Sequence, residues 1–265
     1  MGKMMEGRRG LVMGVANERS IAWGMARALA QQGAELAFTY QGDVFGERIR
    51  PLAESVGSDT VLSCDVCRED ELDAAFQTLE QKWGGMDFLV HAIAYSDKQE
   101  LSGRYVDTTR SNFLQTMDIS CFSFTDVARR AAVLMRKSGR GGSMVTLTYE
   151  GSTRVMPNYN VMGVAKAALE ASVKYLAADL GTEGIRVNAI SAGPMRTLAG
   201  SAISEAKSVF RWSKKHSALR GSVELEHVGA AAVYLLSDSA GMVTGEIHHV
   251  DAGYNIIGMP RFEMV

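Results

Sequence analysis

Residues 10–24 read Gly-Leu-Val-Met-Gly-Val-Ala-Asn-Glu-Arg-Ser-Ile-Ala-Trp-Gly. An apolar run ending in glycine, then a short polar turn, then apolar residues at helical spacing is the pattern of a strand, a turn and a helix. Gly14 lets backbone approach a ligand. The helix that opens at Ser20 offers unpaired N–H groups and a positive dipole end to a pyrophosphate. The spacing departs from G-x-G-x-x-G, and the same residues also fit a plain strand–turn–helix in which Ser20 is only an N-cap.

The rest of the chain repeats the unit. Short apolar runs over Gly10–Val15, Ala34–Tyr40, Asp59–Cys64, Met86–Ala92, Ser143–Thr148, Ile185–Ser191 and Glu246–Val250 alternate with amphipathic stretches. Leu72, Ala75, Phe76, Leu79 and Trp83 share one helical face, and Ile21, Met25 and Leu29, like Ala165, Leu169 and Val173, recur every four residues. Strands that are apolar throughout are buried on both faces, as in a parallel sheet covered by crossover helices. The expected architecture is a doubly wound α/β fold with a seven-stranded parallel sheet, one domain over residues 1–265. Residues 193–223 separate the sixth strand from a helix over Glu224–Leu236. Open α/β sheets bind ligands beyond the carboxyl ends of their strands, so this insertion reads as a helical substrate-covering segment.

Composition narrows the function. With 46% hydrophobic and 22% charged residues, a chain of 265 builds a real core, and disorder is excluded. The net charge of −2 gives no global attraction to nucleic acid or to anionic membranes. No apolar run approaches the roughly 18 residues of a membrane span. The run Leu11–Ala16 is interrupted by Asn17, Glu18 and Arg19, too early for a signal-peptide core, and Arg8-Arg9 lacks the apolar segment of a twin-arginine signal. A cytoplasmic protein is expected. Cys64 and Cys67 form a C-x-x-C, but Cys121 and five scattered histidines supply no second ligand pair, so a structural role is expected and no metal site is assigned.

Chemistry-bearing residues follow the strands. The second strand ends in Tyr40-Gln41-Gly42, with a neutral hydrogen-bonding side chain where an acidic one commonly meets an adenosine ribose and no adjoining Arg or Lys for a 2′-phosphate. NADH is therefore expected over NADPH. Asp65, in Cys64-Asp65-Val66, is placed to accept from an adenine amine, or else to cap the helix beginning near Arg68. Tyr159 and Lys166 lie seven apart, about 20° apart around a helix and roughly 10 Å along it. Among the eight tyrosines only Tyr159 has lysine at +7, and none has it at +4. Spacing alone fits a packed tyrosine beside a solvated lysine equally well.

Order adds what spacing lacks. A glycine-bearing first turn, Asp after strand three, His91-Ala-Ile93-Ala-Tyr95-Ser96 after strand four, and Tyr149 and Tyr159 after strand five come in turn, followed by Lys166 and then Ser191-Ala-Gly-Pro-Met-Arg-Thr197. This sequence resembles the short-chain dehydrogenase/reductase family, with its Rossmann-type fold. More closely it resembles the divergent branch of bacterial enoyl-acyl-carrier-protein reductases, over about Leu11 to Pro260. The conventional branch shows Tyr-x-x-x-Lys, and here position +4 is Gly163. The resemblance implies that Gly14, Ser20 and Ile21 hold the pyrophosphate, Gln41 the adenosine side and Asp65-Val66 the adenine. It further implies that Ile93 lines the dinucleotide, that Ser96 approaches the substrate, and that Met195, Arg196, Thr197, Leu198 and Ala199 close over the nicotinamide. Tyr149 and Tyr159 match the family's two active-site tyrosines, and Lys166 matches the lysine that binds the nicotinamide ribose.

The implied reaction reduces the trans-2 double bond of an enoyl-acyl-carrier-protein thioester with hydride from NADH, in type II fatty acid biosynthesis. Negative charge develops on the thioester oxygen, and Tyr159 is the expected donor to it. Lys166 is expected to orient the ribose, and its charge to favour phenolate character in Tyr159, or else to serve cofactor positioning alone. Tyr149 shapes the pocket or relays a proton. Glu150 is expected to point to solvent, where an inward carboxylate would instead raise the neighbouring phenol's pKa, and Met195, where isoleucine is usual, to pack as a swap of similar volume. The insertion carries Lys207, Arg211, Lys214, Lys215 and Arg220 against Glu205, which suits docking of an acidic carrier protein and equally suits a solvated helical face. Ala199, Ala202, Ile203, Val209, Phe210 and Trp212 line an acyl tunnel or merely pack the insertion. His216 is expected at the surface, and His248-His249 lack companions for metal binding. The last helix and strand resemble elements that pack across subunits in a homotetramer. Competing readings are a carbonyl or 3-oxoacyl reductase of the same fold and a non-catalytic dinucleotide sensor.

Overall fold

A computed structural model describes residues 2–197 and 206–259. Its strands are β1 (Arg9–Met13), β2 (Glu35–Tyr40), β3 (Thr60–Ser63), β4 (Phe88–His91), β5 (Gly142–Thr148), β6 (Ile185–Ala192) and β7 (Ile247–Val250). All pair in parallel in the order β3-β2-β1-β4-β5-β6-β7. The sequence expectation holds within a residue or two at each end.

The apolar runs are explained by the two layers they feed. Along β1, Leu11 and Met13 enter one core and Val12 the other; along β6, Val187 and Ala189 face the first and Ile190 the second. The first core is closed by α3 (Glu69–Trp83), α5 (Ser123–Ser138) and α6 (Asn160–Gly181), through Leu72, Leu79, Phe124, Leu169 and Val173. The second is closed by α1 (Ile21–Gln31), α2 (Asp43–Ser55) and α8 (Leu225–Leu236), through Met25, Leu29, Ile49, Val228 and Leu235. A strand whose two faces are both covered has no polar alternation to show.

One feature departs from the sequence reading, and the helical character of the insertion agrees with it. Helix α4 (Arg110–Met117) runs into α5 through a turn of π-helix at Asp118–Phe122, which no periodicity announced. The insertion between β6 and α8 contains α7 (Ala206–His216). Among the described residues no helix is long and apolar enough to cross a membrane.

Candidate active site

The chain reverses direction of growth between β1 and β4, and the crevice above those strand ends is where a doubly wound sheet takes its ligand. Gly14 has φ +97°, and a Cβ there would run into the Ala92 carbonyl. Glycine thus lays the loop after β1 across the end of β4. Ser20 is the N-cap of α1, but its hydroxyl oxygen accepts from Ala16 N and Asn17 N, both at 3.0 Å, rather than from the helix. Trp23 N and Gly24 N donate to the Ser20 carbonyl at 3.0 and 3.2 Å, which leaves Ile21 N and Ala22 N as the N–H groups ahead of the helix's own acceptors.

At the neighbouring strand ends, Gln41 Nε2 donates to Asp65 Oδ2 at 2.8 Å. Asp65 Oδ1 accepts from Cys67 N at 2.9 Å, so it holds the turn before α3, whose N-cap is Arg68. Gln41 and Asp65 are brought together, and Val66 packs against the core. Arg19 and Arg48 line a cleft with Asn17, Glu18 and Leu52. Reading only the neighbours of Gln41 missed these two positive side chains, because α2 folds Arg48 back to the loop after β1. Burial pushes the Cys64 thiol up to about 12 and the Cys67 thiol up to about 11, with Glu71 and Asp65 adding to the first and Asp65 and Asp118 to the second. Such thiols are poor nucleophiles.

Across the crevice the polar groups are buried. Tyr159 is the N-cap residue of α6, between Asn158 and Asn160, both with positive φ, and so precedes the helix instead of lying within it. Lys166 stands two turns in. The two side chains are 8% and 6% exposed. A Cβ on Gly151 would run into the Tyr159 ring, and one on Gly163 would stand 2.6 Å from the Gly151 carbonyl oxygen. The position four after Tyr159 is thus walled by backbone and has no room for a lysine. Lys166 Nζ donates to the Leu147 carbonyl at 2.7 Å, which fixes it at the end of β5.

Desolvation pushes the Lys166 ammonium down to about 8, against the opposing pull of Cys121 and Glu170. Desolvation and the Glu170 charge push the Tyr159 phenol up. The expected phenolate character is therefore corrected: Tyr159 is held protonated, as a hydrogen-bond donor must be. Tyr149 meets Tyr159 edge-on, with ring centroids 5.1 Å apart. Burial is the main cause raising the Tyr149 phenol, followed by Tyr254, Tyr159 and Glu150.

Glu150 overturns a second expectation. A short 3-10 turn at Glu150–Ser152 folds it inward, and it is 5% exposed. Its Oε1 lies 3.1 Å from Arg154 Nε and accepts from Thr153 Oγ1 at 2.9 Å, and Oε2 is 3.9 Å from His249 Nε2. A carboxylate so partnered tolerates burial that a lone one would not.

On the substrate side, Ile93 is half-buried against the core. Ser96 Oγ accepts from Thr116 Oγ1 at 2.9 Å and from Asn112 Nδ2 at 3.2 Å. Its hydroxyl is thereby tied to α4, and the residue is half-buried. Ser120, in the π-turn, accepts from Tyr95 N and donates to Tyr95 O, both at 2.9 Å. Met195 packs in the second core with Val223, Arg196 is exposed, and Thr197 N donates to Met195 O at 2.9 Å. Leu198, Ala199, Ala202, Ile203, Glu205 and Pro260 lie outside the described residues. Helix α7 exposes Lys207, Arg211, Lys214 and Lys215, while Val209, Phe210 and Trp212 are half-buried. His216, expected at the surface, is half-buried against Trp212, with ring centroids 5.1 Å apart.

Residues 14–255 match the family model described as enoyl-(acyl carrier protein) reductase. The chain is 62% identical over 263 residues to the enoyl-acyl-carrier-protein reductase (NADH) 2 of Rhizobium meliloti strain 1021, covering 99% of this chain and 97% of that one. A crystal structure of FabI from Candidatus Liberibacter asiaticus is 54% identical with a TM-score of 0.95, covering 98% of this chain and all of that one at 100%. An Anaplasma phagocytophilum enoyl-acyl-carrier-protein reductase solved in complex with NAD is 54% identical with a TM-score of 0.94, covering 99% of each.

Proposed function

The chain belongs to the enoyl-acyl-carrier-protein reductase family, and from that premise we propose how its own residues carry the reaction. The protein is an oxidoreductase of fatty acid biosynthesis that reduces the trans-2 double bond of enoyl-acyl-carrier-protein thioesters with NADH. The observation that carries the reading is a buried Tyr159 at the start of α6 and a buried Lys166 two turns on, whose ammonium is held by the Leu147 carbonyl near the carboxyl end of β5.

The residues present suit the dinucleotide. The open N-terminus of α1 after the Gly14 turn takes the pyrophosphate together with Ser20 and Ile21. The Gln41–Asp65 pair and Val66 take the adenosine end. Lys166, pinned by the Leu147 carbonyl, presents its remaining donors to the nicotinamide ribose. Ile93 lines the path between the two ends, and Met195, Arg196 and Thr197 close over the nicotinamide. NADH, when bound, supplies the hydride that reaches the β-carbon of the enoyl thioester. As charge develops on the thioester oxygen, the Tyr159 hydroxyl donates to it from a dry, preset position. Tyr149 walls the acyl side and holds the Tyr159 ring edge-on. Ser96 lines the same side through its backbone.

Residues 193–197 and 206–223 cover the substrate. The cationic outer face of α7, with Arg220 beyond it, suits an acidic carrier protein. Exposed Leu114, Phe122 and Tyr175 on the α4–α6 side, and Tyr234 and Met242 beside the edge strand β7, supply two separate apolar surfaces. A homotetramer of dihedral symmetry needs two such self-complementary surfaces. A cytoplasmic location accords with this chemistry.

Initial rates of NADH oxidation test the reading. Crotonyl thioester is expected to be consumed and acetoacetyl thioester not; the reverse pattern would assign a 3-oxoacyl reductase, and NADH binding without turnover a sensor. Charge reversal at Lys214 and Lys215 is expected to raise the KM for a carrier-linked substrate much more than for a coenzyme A thioester, and an equal rise in both would remove the docking surface.

A further inference from the structure

One turn beyond Lys166, about 6 Å along α6 and on the same side of the helix, stands Glu170, half-buried. Its Oε1 accepts from Thr148 Oγ1 at 2.6 Å. Alternation along β5 puts Thr148 on the face of Met144, whose side chain enters the first core beneath α6. Thr148 is 4% exposed, and a buried hydroxyl left without a partner is costly.

Two bonds therefore run side by side between α6 and the end of β5. Lys166 Nζ donates to the Leu147 carbonyl at 2.7 Å, and the next residue of the strand donates to a side chain on the next turn of the helix. The second bond holds the strand end on which the first depends.

Glu170 is also the negative charge beside the ammonium. Cys121 of the π-turn and His91 of β4 lie near Lys166, but burial pushes the Cys121 thiol up, and burial with Lys166 nearby pushes His91 down to about 3. Both are neutral where Lys166 titrates. Asp126 of α5 is paired with Arg129 and Arg130, and Glu150 ahead of α6 with Arg154. Arg110 of α4 and Asp118 of the π-turn are exposed. β5 carries no charged residue, and Arg186 of β6 donates to the Leu235 and Ser237 carbonyls.

We propose that Glu170 is a positioning residue for Lys166, its carboxylate fastened to Thr148 so that one clamp fixes the strand end carrying the Leu147 carbonyl and stands a negative charge one turn from the ammonium. Burial pushes that ammonium down to about 8, and the Glu170 charge keeps it from falling further. The inference rests on the reading of Lys166 as the lysine that holds the nicotinamide ribose.

Glu170→Gln keeps an oxygen for the Thr148 hydroxyl and removes only the charge, whereas Thr148→Val removes only the hydroxyl. NADH affinity by fluorescence from acid to alkaline pH, the pH profile of kcat/KM with crotonyl thioester, and thermal midpoints are measured for the wild type, both variants and Lys166→Met. A lysine that loses an opposite charge gives up its proton at lower pH, so Glu170→Gln is expected to move the alkaline fall in both profiles about one pH unit toward neutral. Thr148→Val is expected to lower kcat/KM about three- to tenfold, the worth of one hydrogen bond. An alkaline limb in Glu170→Gln that coincides with that of the wild type, even with a lowered thermal midpoint, would leave Glu170 a purely structural role and overturn the inference. Wild-type kcat/KM in Thr148→Val would overturn it equally. If Lys166→Met binds NADH as tightly as the wild type, the ribose reading of Lys166 fails and takes this inference with it.

Discussion

The two halves of the crevice bind by different physics. At the β1–β3 end the polar groups are open to water: the Gln41–Asp65 hydrogen bond is exposed, and so are the flanks of the Arg19–Arg48 cleft. At the β5–β6 end Tyr159, Lys166 and Glu150 are all at most 8% exposed. Water competes for every contact in the first half and for few in the second. The difference teaches where selectivity of binding is cheap to alter and where the chemistry is sensitive. Losing a contact in the open half leaves solvated groups behind, whereas losing one in the closed half strands buried ones.

This contrast breaks if substitutions at the two ends have similar effects. Tyr159→Phe is expected to lower kcat by about 10²–10³-fold with NADH affinity little changed, read by steady-state rates beside a fluorescence titration. Gly163→Ala, whose methyl would press on the Gly151 carbonyl, is expected to cost about 1–3 kcal/mol in chemical unfolding. The pH profile of kcat/KM sharpens the contrast. Lys166 carries its charge below about 8 and loses it as pH rises, so activity should decline on the alkaline side from there, and Lys166→Met should remove that limb along with most of the rate. The smallest effect is expected in the open half: Gln41→Ala should weaken NADH by about two- to tenfold and leave kcat unchanged.

Most of the fold could be read from local pattern, because each strand and each helical face named by periodicity is also a face of one of the two cores. Leu72, Ala75, Phe76, Leu79 and Trp83 are all buried, as their spacing requires. The π-turn at Asp118–Phe122 was invisible, since a five-residue widening shifts register without changing composition. Tyr159 and Lys166 could be singled out together because one immediately precedes the helix that carries the other. The site was not legible where partners come from far along the chain. Glu150 looked like a surface carboxylate because His249 meets it only after β7 is in the sheet, although Arg154, its other partner, is local. Tyr254, 98 residues from the Met156 sulfur that its hydroxyl meets, carries no local sign of what it touches. The protonation of Tyr159 likewise depends on how deeply α6 packs, which spacing does not encode.

Ultraviolet titration of the wild-type protein against Tyr159→Phe tests the donor role most directly, because the difference isolates one phenol among eight tyrosines. A buried neutral donor predicts no tyrosinate absorbance from Tyr159 at any pH where exposed tyrosines are still protonated, and ionisation only after they have titrated. Tyrosinate that appears near neutral pH in the wild type and is missing from Tyr159→Phe would contradict it.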